Sequence, residues 1–156
     1  MRVFEGCPSS RPIDLREEKV KEETIKSEIK SELRQWPIQL HLISPVASYY
    51  QGADVLLTAD CVGYALGSFH NDYLKGKSIA IACPKLDEGQ EEYVEKIKSW
   101  CEEAKINTLT VLMMQVPCCM GLLHLAKEAQ ANSKRKVPLK SVVVSIKGEI
   151  LSEEWV

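Results

Sequence analysis

Residues 53–61 read ADVLLTADC, a short apolar run that ends in a cysteine. Similar apolar runs occur at residues 78–82, 108–114 and 141–146. Continuous runs of this length are typical of strands in a parallel sheet whose two faces are both covered. Residues 38–43 alternate apolar and polar side chains and predict one more strand, at the start of the sheet.

The segments between these runs have helical patterns. In residues 90–104, Tyr93, Ile97 and Trp100 fall on one face of a helix, and Glu and Lys cover the rest. Residues 119–132 and 61–74 predict two further helices. Strands that alternate with helices predict an α/β fold, an open and mostly parallel sheet of about five strands flanked by helices, as in a Rossmann-like or flavodoxin-like sandwich.

The composition predicts one ordinary globular domain. The chain has 156 residues, of which 45% are hydrophobic and 27% are charged. Its net charge of −2 argues against a general nucleic-acid binder, which needs many cations to neutralise phosphates. No apolar run reaches the roughly 20 residues that span a bilayer, and the N-terminus lacks the apolar core of a signal peptide. We therefore expect a cytoplasmic protein that binds neither membrane nor nucleic acid.

The charge distribution divides the chain in two. Residues 1–35 predict an N-terminal arm that carries Cys7 and a charged linker, and residues 36–156 predict the α/β domain. The charged stretch 11–34 has few apolar residues, so we interpret it as a solvated linker. The alternative is a helix that docks on a partner.

Six cysteines are the unusual feature of the composition. Cys61 follows the strand at 53–59 by two residues, and Cys83 directly follows the strand at 78–82. Cys118 and Cys119 come shortly after the strand at 108–114. Because the carboxyl ends of parallel strands meet at one edge, where open α/β sheets bind ligands, we expect these thiols to converge there.

Converging thiols favour a metal or redox site. We expect a helix to follow each thiol and to lower its pKa, which favours the thiolate that ligates metals. Thiolates that meet would repel one another unless a cation lies among them, and an iron–sulfur cluster or zinc supplies that charge. Asp60 and Asp87 would either tune this edge or cap helices, and capping is the favoured role.

The remaining cysteines have other interpretations. Cys101 lies on the inward face of the helix at 90–104 and is expected to be a core residue. Cys7 is either a further ligand from the arm or an ordinary loop thiol. The pair Cys118–Cys119 supplies one ligand or two. The alternative for all of them is that they are small buried hydrophobes.

Several motifs together resemble a known family. They are EGCPSS at residues 5–10, SELRQWPIQL at 31–40, ADCV at 59–62, ACPKLD at 82–87 and VPCC at 116–119. They are similar to the region that follows the ferredoxin module in 4Fe–4S ferredoxin-like iron–sulfur proteins of anaerobic bacteria and archaea. Here the ferredoxin module, with its Cys-x-x-Cys-x-x-Cys runs, is missing. The resemblance implies an iron–sulfur or redox context and names no reaction.

The expected function is therefore electron transfer or another redox accessory role. Its cofactor would be an iron–sulfur cluster, expected to be [4Fe–4S], held by Cys61, Cys83, Cys118 and Cys119 with Cys7 as a further candidate. The alternatives are a thiol-dependent redox or sulfur-transfer enzyme and a structural zinc module. The expected partner is a redox protein such as a ferredoxin, and five candidate thiols also allow a homodimer with a shared site. No Gly-x-Gly-x-x-Gly or P-loop motif occurs, which argues against the usual nucleotide loops.

Overall fold

A computed structural model describes residues 29–156. Five strands form one sheet in the order β2-β1-β3-β4-β5. Strands β1 to β4 run parallel to their neighbours, and β5 is antiparallel to β4. The strands are β1 Asp54–Ala59, β2 Ser78–Ala82, β3 Thr108–Met114, β4 Leu139–Val144 and β5 Ile150–Trp155.

The helices connect the parallel strands. Between β1 and β2 the chain forms the short helix α1 and a π-helix, α2 links β2 to β3, and α3 links β3 to β4. Short 3-10 turns lie at Ser48–Tyr50 and Pro117–Cys119. The helices are α1 Val62–Ala65, the π-helix Phe69–Leu74, α2 Gln90–Glu102 and α3 Met120–Asn132.

The predicted α/β class is confirmed, and the parallel strands form where the apolar runs lie. The strands β2 and β3 have the predicted bounds, whereas β4 begins and ends two residues earlier than predicted. All residues of β3 after Thr108 are buried, because helices and connecting segments cover both faces. Trp100 and Cys101 of α2 are fully buried, which confirms the core role predicted for Cys101.

The predicted strand at residues 38–43 is wrong. Only Gln39 forms a bridge, to Ile81, after which the chain turns. The ammonium group of Lys96 donates hydrogen bonds to three carbonyls of this turn, those of Leu40, His41 and Ile43, at 2.8–3.0 Å. The alternation of apolar and polar residues therefore belongs to a turn, in which Leu40 and Ile43 are buried.

The fifth strand is instead β5, which the sequence pattern did not predict. Its side chains are almost all exposed, so it lacks the apolar run that marks the other strands. It returns antiparallel to β4 through a tight turn at Gly148, whose φ is +85°. The predicted helix at 61–74 is likewise divided, because the chain leaves α1 after Ala65 and re-forms as the π-helix.

Among residues 29–156, every helix is too short or too polar to cross a membrane.

Candidate functional site

The candidate site lies at the carboxyl edge of β1, β2 and β3. Strand β1 lies between the other two, with Ala59 paired to Ala82 and Thr58 paired to Leu112. Neighbouring strands are about 4.8 Å apart, so the segments that leave these three strands begin close together. The chain connects β1 to its neighbour β2 on one side, whereas β3 lies on the other side of β1. The direction in which successive strands are added to the sheet therefore changes between β1 and β3. Open α/β sheets bind ligands at the carboxyl ends of the two strands that flank such a change.

Four cysteines line one cavity at this edge, which we call the thiol cavity. Its volume is about 430 Å³. The thiols come from three segments: Cys61 after β1, Cys83 after β2, and the pair Cys118 and Cys119 after β3. Most of the remaining wall is apolar, and its charged members are Asp60 and Lys85. The structure thus brings together the four cysteines that the sequence placed at strand ends.

The four thiols differ in their exposure. Cys61 is exposed, Cys83 and Cys118 are half-buried, and Cys119 is buried. The backbone N–H of Cys119 donates to the carbonyl of Val116 at 3.1 Å, which closes the 3-10 turn that precedes α3. The thiols therefore line the cavity from its exposed rim to its buried wall.

A hydrogen-bonded turn fixes the Cys83 segment. The carboxylate of Asp87 accepts the backbone N–H of Cys83 at 2.9 Å, and the N–H of Asp87 donates back to the Cys83 carbonyl at 2.9 Å. The buried Tyr93 of α2 donates its hydroxyl to the same Asp87 oxygen. Asp87 therefore supports the Cys83 segment and does not cap a helix.

Close packing against α3 also holds this segment. A Cβ atom built on Gly121 would lie 3.1 Å from the Cβ of Pro84, so the missing side chain lets the Cys83–Pro84 segment approach the helix. The roles of Gly121 and Tyr93 were not predicted. No sequence motif marks these roles, because Gly121 contacts Pro84 and Tyr93 contacts Asp87 only in the folded chain.

The pKa values of two of the four cavity thiols are raised. Burial is the largest cause for Cys61, followed by the neighbouring Cys83, Asp60 and Cys118. Cys61 is exposed as a residue, yet it lines the thiol cavity together with the other three cysteines and Asp60. Burial raises the pKa of Cys119 to about 11. The predicted lowering by helix N-termini is therefore wrong for both groups.

The local helix geometry accounts for this result at Cys61, whereas at Cys119 burial outweighs the effect of the helix that follows. Helix α1, which follows Cys61, has only four residues and a correspondingly weak dipole. Cys83 is followed by a turn, and α2 begins only at Gln90. The predicted pattern of a helix directly after each thiol therefore fails at Cys83 and holds for Cys61, whose helix is short, and for the Cys118–Cys119 pair, which leads into α3.

Asp60 was favoured as a helix cap, and the structure corrects this. No side-chain hydrogen bond caps α1. One carboxylate oxygen of Asp60, Oδ1, is buried without a hydrogen-bond partner among the described residues. Burial, and then the nearby Asp87 carboxylate, raise the pKa of Asp60.

The fit to a metal group depends on how the ligands are spaced. Within residues 29–156, no three His, Cys, Asp or Glu side chains are arranged to hold a single metal ion. The four thiols surround a cavity, as a polynuclear cluster with several iron corners requires. Cysteine thiolates ligate both iron–sulfur clusters and zinc, so the chemistry of the donors fits either group. Cys7, the fifth candidate ligand, lies outside the described residues.

Comparisons with known proteins agree with the fold. The model of the family described as Rossmann-like domain matches residues 47–156. A protein of the archaeon Archaeoglobus fulgidus, named only as an uncharacterized protein, is 26% identical over 119 residues, which cover 76% of this chain and 83% of that protein. No solved structure matches the chain significantly.

Proposed function

This chain belongs to the Rossmann-like domain family, and on that premise we propose that it is an iron–sulfur protein with a redox accessory or electron-transfer function. Cys61, Cys83, Cys118 and Cys119 are the ligands in this proposal, and Cys7 is a further candidate. The observation that carries it is the convergence of four thiols from three strand ends on one cavity.

The number and chemistry of the thiols support a [4Fe–4S] cluster. Such a cluster takes four cysteine thiolates, and the thiol cavity offers four. When bound, the cluster would supply one-electron transfer. The chain's own contribution is to hold the thiols in place, through the Asp87 and Tyr93 hydrogen bonds behind Cys83 and the turn at Cys119.

The electrostatics of the cavity also support a cationic group. Burial, and then the neighbouring thiols and Asp60, oppose deprotonation of Cys61, and Lys85 is the one cationic side chain that residues 29–156 place in the cavity wall. A bound metal group reverses this balance, because its positive charge stabilises thiolates. In this proposal, the thiols of the cavity lose their protons as the metal group binds.

The raised pKa values of Cys61 and Cys119 make a thiol-dependent enzyme the weaker candidate function. A nucleophilic cysteine needs a lowered pKa and access to substrate. Cys61 has access but a raised pKa, and Cys119 has a raised pKa and is buried. A structural zinc site stays an alternative, because its ligands would be the same cysteine thiols.

The ferredoxin-related context is part of this proposal. The motifs at residues 59–62, 82–87 and 116–119, which carry part of the resemblance, contain all four cavity cysteines. A redox partner such as a ferredoxin would exchange electrons at the exposed rim of the cavity. Leu86 is 78% exposed at that rim and offers an apolar contact.

Anaerobic reconstitution of matched cysteine variants tests the proposal. We expect the wild-type protein and Cys101→Ala to become coloured and to bind iron and sulfide, because Cys101 is a core residue away from the cavity. We expect Cys83→Ala to lose most of the iron while staying folded. If Cys83→Ala and Cys101→Ala bind equal amounts of iron, the ligand assignment is wrong.

A further inference from the structure

Residues 31–33, which we call the strap, line a second cavity at the carboxyl edge of the sheet. This cavity has a volume of about 310 Å³, and Ala59 and Asp60 line both it and the thiol cavity. Phe69 and Leu74 of the π-helix form part of its apolar wall. A movement of the strap would therefore open the cavity and expose this wall to solvent.

The strap is anchored at the residues that follow it. The buried side chain of Gln35 accepts the backbone N–H of Ile79 at 2.9 Å and donates to the carbonyl of the same residue. The side chain of Arg34 donates one exposed hydrogen bond to the carbonyl of Gly76 at 3.1 Å. Within the strap, Leu33 is still 36% exposed, so apolar burial holds the strap only weakly.

One hydrogen bond joins the strap to the π-helix. The backbone N–H of Glu32 donates to Nδ1 of His70 at 3.1 Å, and within residues 29–156 this is the one hydrogen bond between the strap and the rest of the domain. The His70 ring is half-buried and packs edge to face against Phe69. An imidazole nitrogen accepts a hydrogen bond only in the neutral ring, because both nitrogens are donors in the imidazolium form. The contact therefore requires an unprotonated His70.

We infer that the strap is a pH-dependent cover, closed over this cavity when His70 is neutral and released when His70 is protonated. On protonation, Nδ1 changes from an acceptor to a donor, and its N–H then faces the N–H of Glu32. Loss of this bond frees the strap up to the anchor at Gln35. Because histidine is the side chain whose charge ordinarily changes between pH 5 and 8, we expect a closed strap at pH 7.5 and a released strap at pH 5. The inference does not depend on the iron–sulfur proposal.

Other ionisable groups lie on the elements around His70. They are Glu32 on the strap, Asp60 and Tyr64 in the cavity wall, Asp72 and Tyr73 on the π-helix, and Lys75 directly after it. Carboxyl groups ordinarily titrate near pH 4, and tyrosine and lysine titrate at about pH 10. Burial, and then the Asp87 carboxylate, raise the pKa of Asp60. Asp60 is therefore the group whose titration has to be separated from that of His70.

Amide exchange with water, measured by NMR, tests the inference at the hydrogen bond itself. The exchange rate of the Glu32 amide is divided by the rate of an unstructured peptide at the same pH, which gives its protection. We expect this protection to fall at least about fivefold between pH 7.5 and pH 5, while the Ile79 amide, bound to Gln35, keeps its protection. Equal protection of the Glu32 amide at the two pH values would overturn the inference.

Matched variants assign the change to one side chain. His70→Asn keeps an acceptor that does not titrate, so the Glu32 amide should be protected at both pH values. His70→Leu has no acceptor and should leave this amide unprotected at both, with a circular dichroism spectrum like that of the wild type. Asp60→Asn and His124→Asn, the latter at an exposed position of α3, should keep the wild-type pH dependence. A pH dependence that disappears in Asp60→Asn, or protection that survives in His70→Leu, would contradict the role of His70.

The opening of the cavity has a separate readout. Anilinonaphthalene sulfonate is a dye that fluoresces on exposed apolar surface, and at pH 7.5 we expect more fluorescence with His70→Leu than with His70→Asn. The reason is that a released strap exposes the wall that contains Phe69 and Leu74. Equal fluorescence with the two variants would show that the strap does not cover the cavity.

Discussion

The backbone N–H of Cys83 donates a 2.9 Å hydrogen bond to the side chain of Asp87, four residues further along the chain. The same carboxylate oxygen accepts the hydroxyl of Tyr93, which is fully buried in α2. Through Asp87, a cysteine at the rim of the thiol cavity is thus connected to the core of the domain.

Replacing Asp87 should therefore loosen the Cys83 segment. In Asp87→Ala the buried Tyr93 hydroxyl and the Cys83 N–H lose their acceptor, and we expect the free energy of unfolding to fall by about 1–3 kcal/mol. Urea unfolding measures this change. Glu88→Ala, at the next and exposed position, should change it by less than about 0.5 kcal/mol. Equal effects of the two substitutions would show that the Asp87 bonds contribute little.

Gly121 should be essential for the approach of Pro84 to α3. A Cβ at this position would already lie 3.1 Å from the Pro84 Cβ, and the branches of Val would come closer still. We expect Gly121→Val to cost about 1–3 kcal/mol from overpacking and to speed alkylation of Cys83 in the iron-free protein. The matched control is Gly67→Val, since the Gly67 position has no atom within 4 Å of an added Cβ. An unchanged alkylation rate in Gly121→Val would mean that α3 does not hold the Cys83 segment.

Gly148 combines a positive φ of +85° with a close approach to the carbonyl oxygen of Ala65. Gly148→Ala should therefore be destabilised both by backbone strain and by a steric clash with α1. Gly52→Ala has the strain alone, because its φ is +62° and the space around it is open. We expect the Gly52 variant to lose about 1 kcal/mol and the Gly148 variant clearly more, by thermal unfolding. Equal losses would show that the chain near Ala65 moves aside freely.

Asp54 should make stability depend on acid pH. Thr108 and Asn107 each donate to its Oδ1 at 2.7 Å, and the Thr108 bond is the largest cause that lowers the pKa of Asp54 below its ordinary value of 3.8. Because the folded-state pKa is lowered, this stabilisation is complete above 3.8 and is lost as the pH falls through the folded-state value.

The variant Asp54→Asn tests this dependence. It should be less stable than the wild type by roughly 1 kcal/mol near neutral pH, and the difference should vanish at the acid end of the titration. Urea unfolding across this pH range is the measurement, with Asp72→Asn, at an exposed position of the π-helix, as the control. A difference that stays constant with pH would contradict the assignment to the Asp54 carboxylate.

The sequence predicted the parallel part of the fold because burial on both faces leaves a visible mark. Strand β3 is mostly apolar and is buried from Leu109 to Met114, whereas the exposed edge strand β5 has no such run. Residues 38–43 have a strand-like alternation, yet their carbonyls bind Lys96, a contact that depends on where α2 packs.

For the candidate site, the sequence predicted which cysteines line the cavity but not their pKa values. Cysteines that directly follow parallel strands must approach one another, so the lining of the thiol cavity followed from the strand assignment. The pKa values did not follow, because they depend on burial and on distances between thiols.

The central claim is that the thiol cavity holds an iron–sulfur cluster. The most direct measurement is the iron and acid-labile sulfide content of the protein purified and reconstituted without oxygen. The account predicts iron and sulfide in equal amounts, about four of each per cluster, as [4Fe–4S] requires. A colourless protein that contains neither, or one that binds a metal without sulfide, would contradict it.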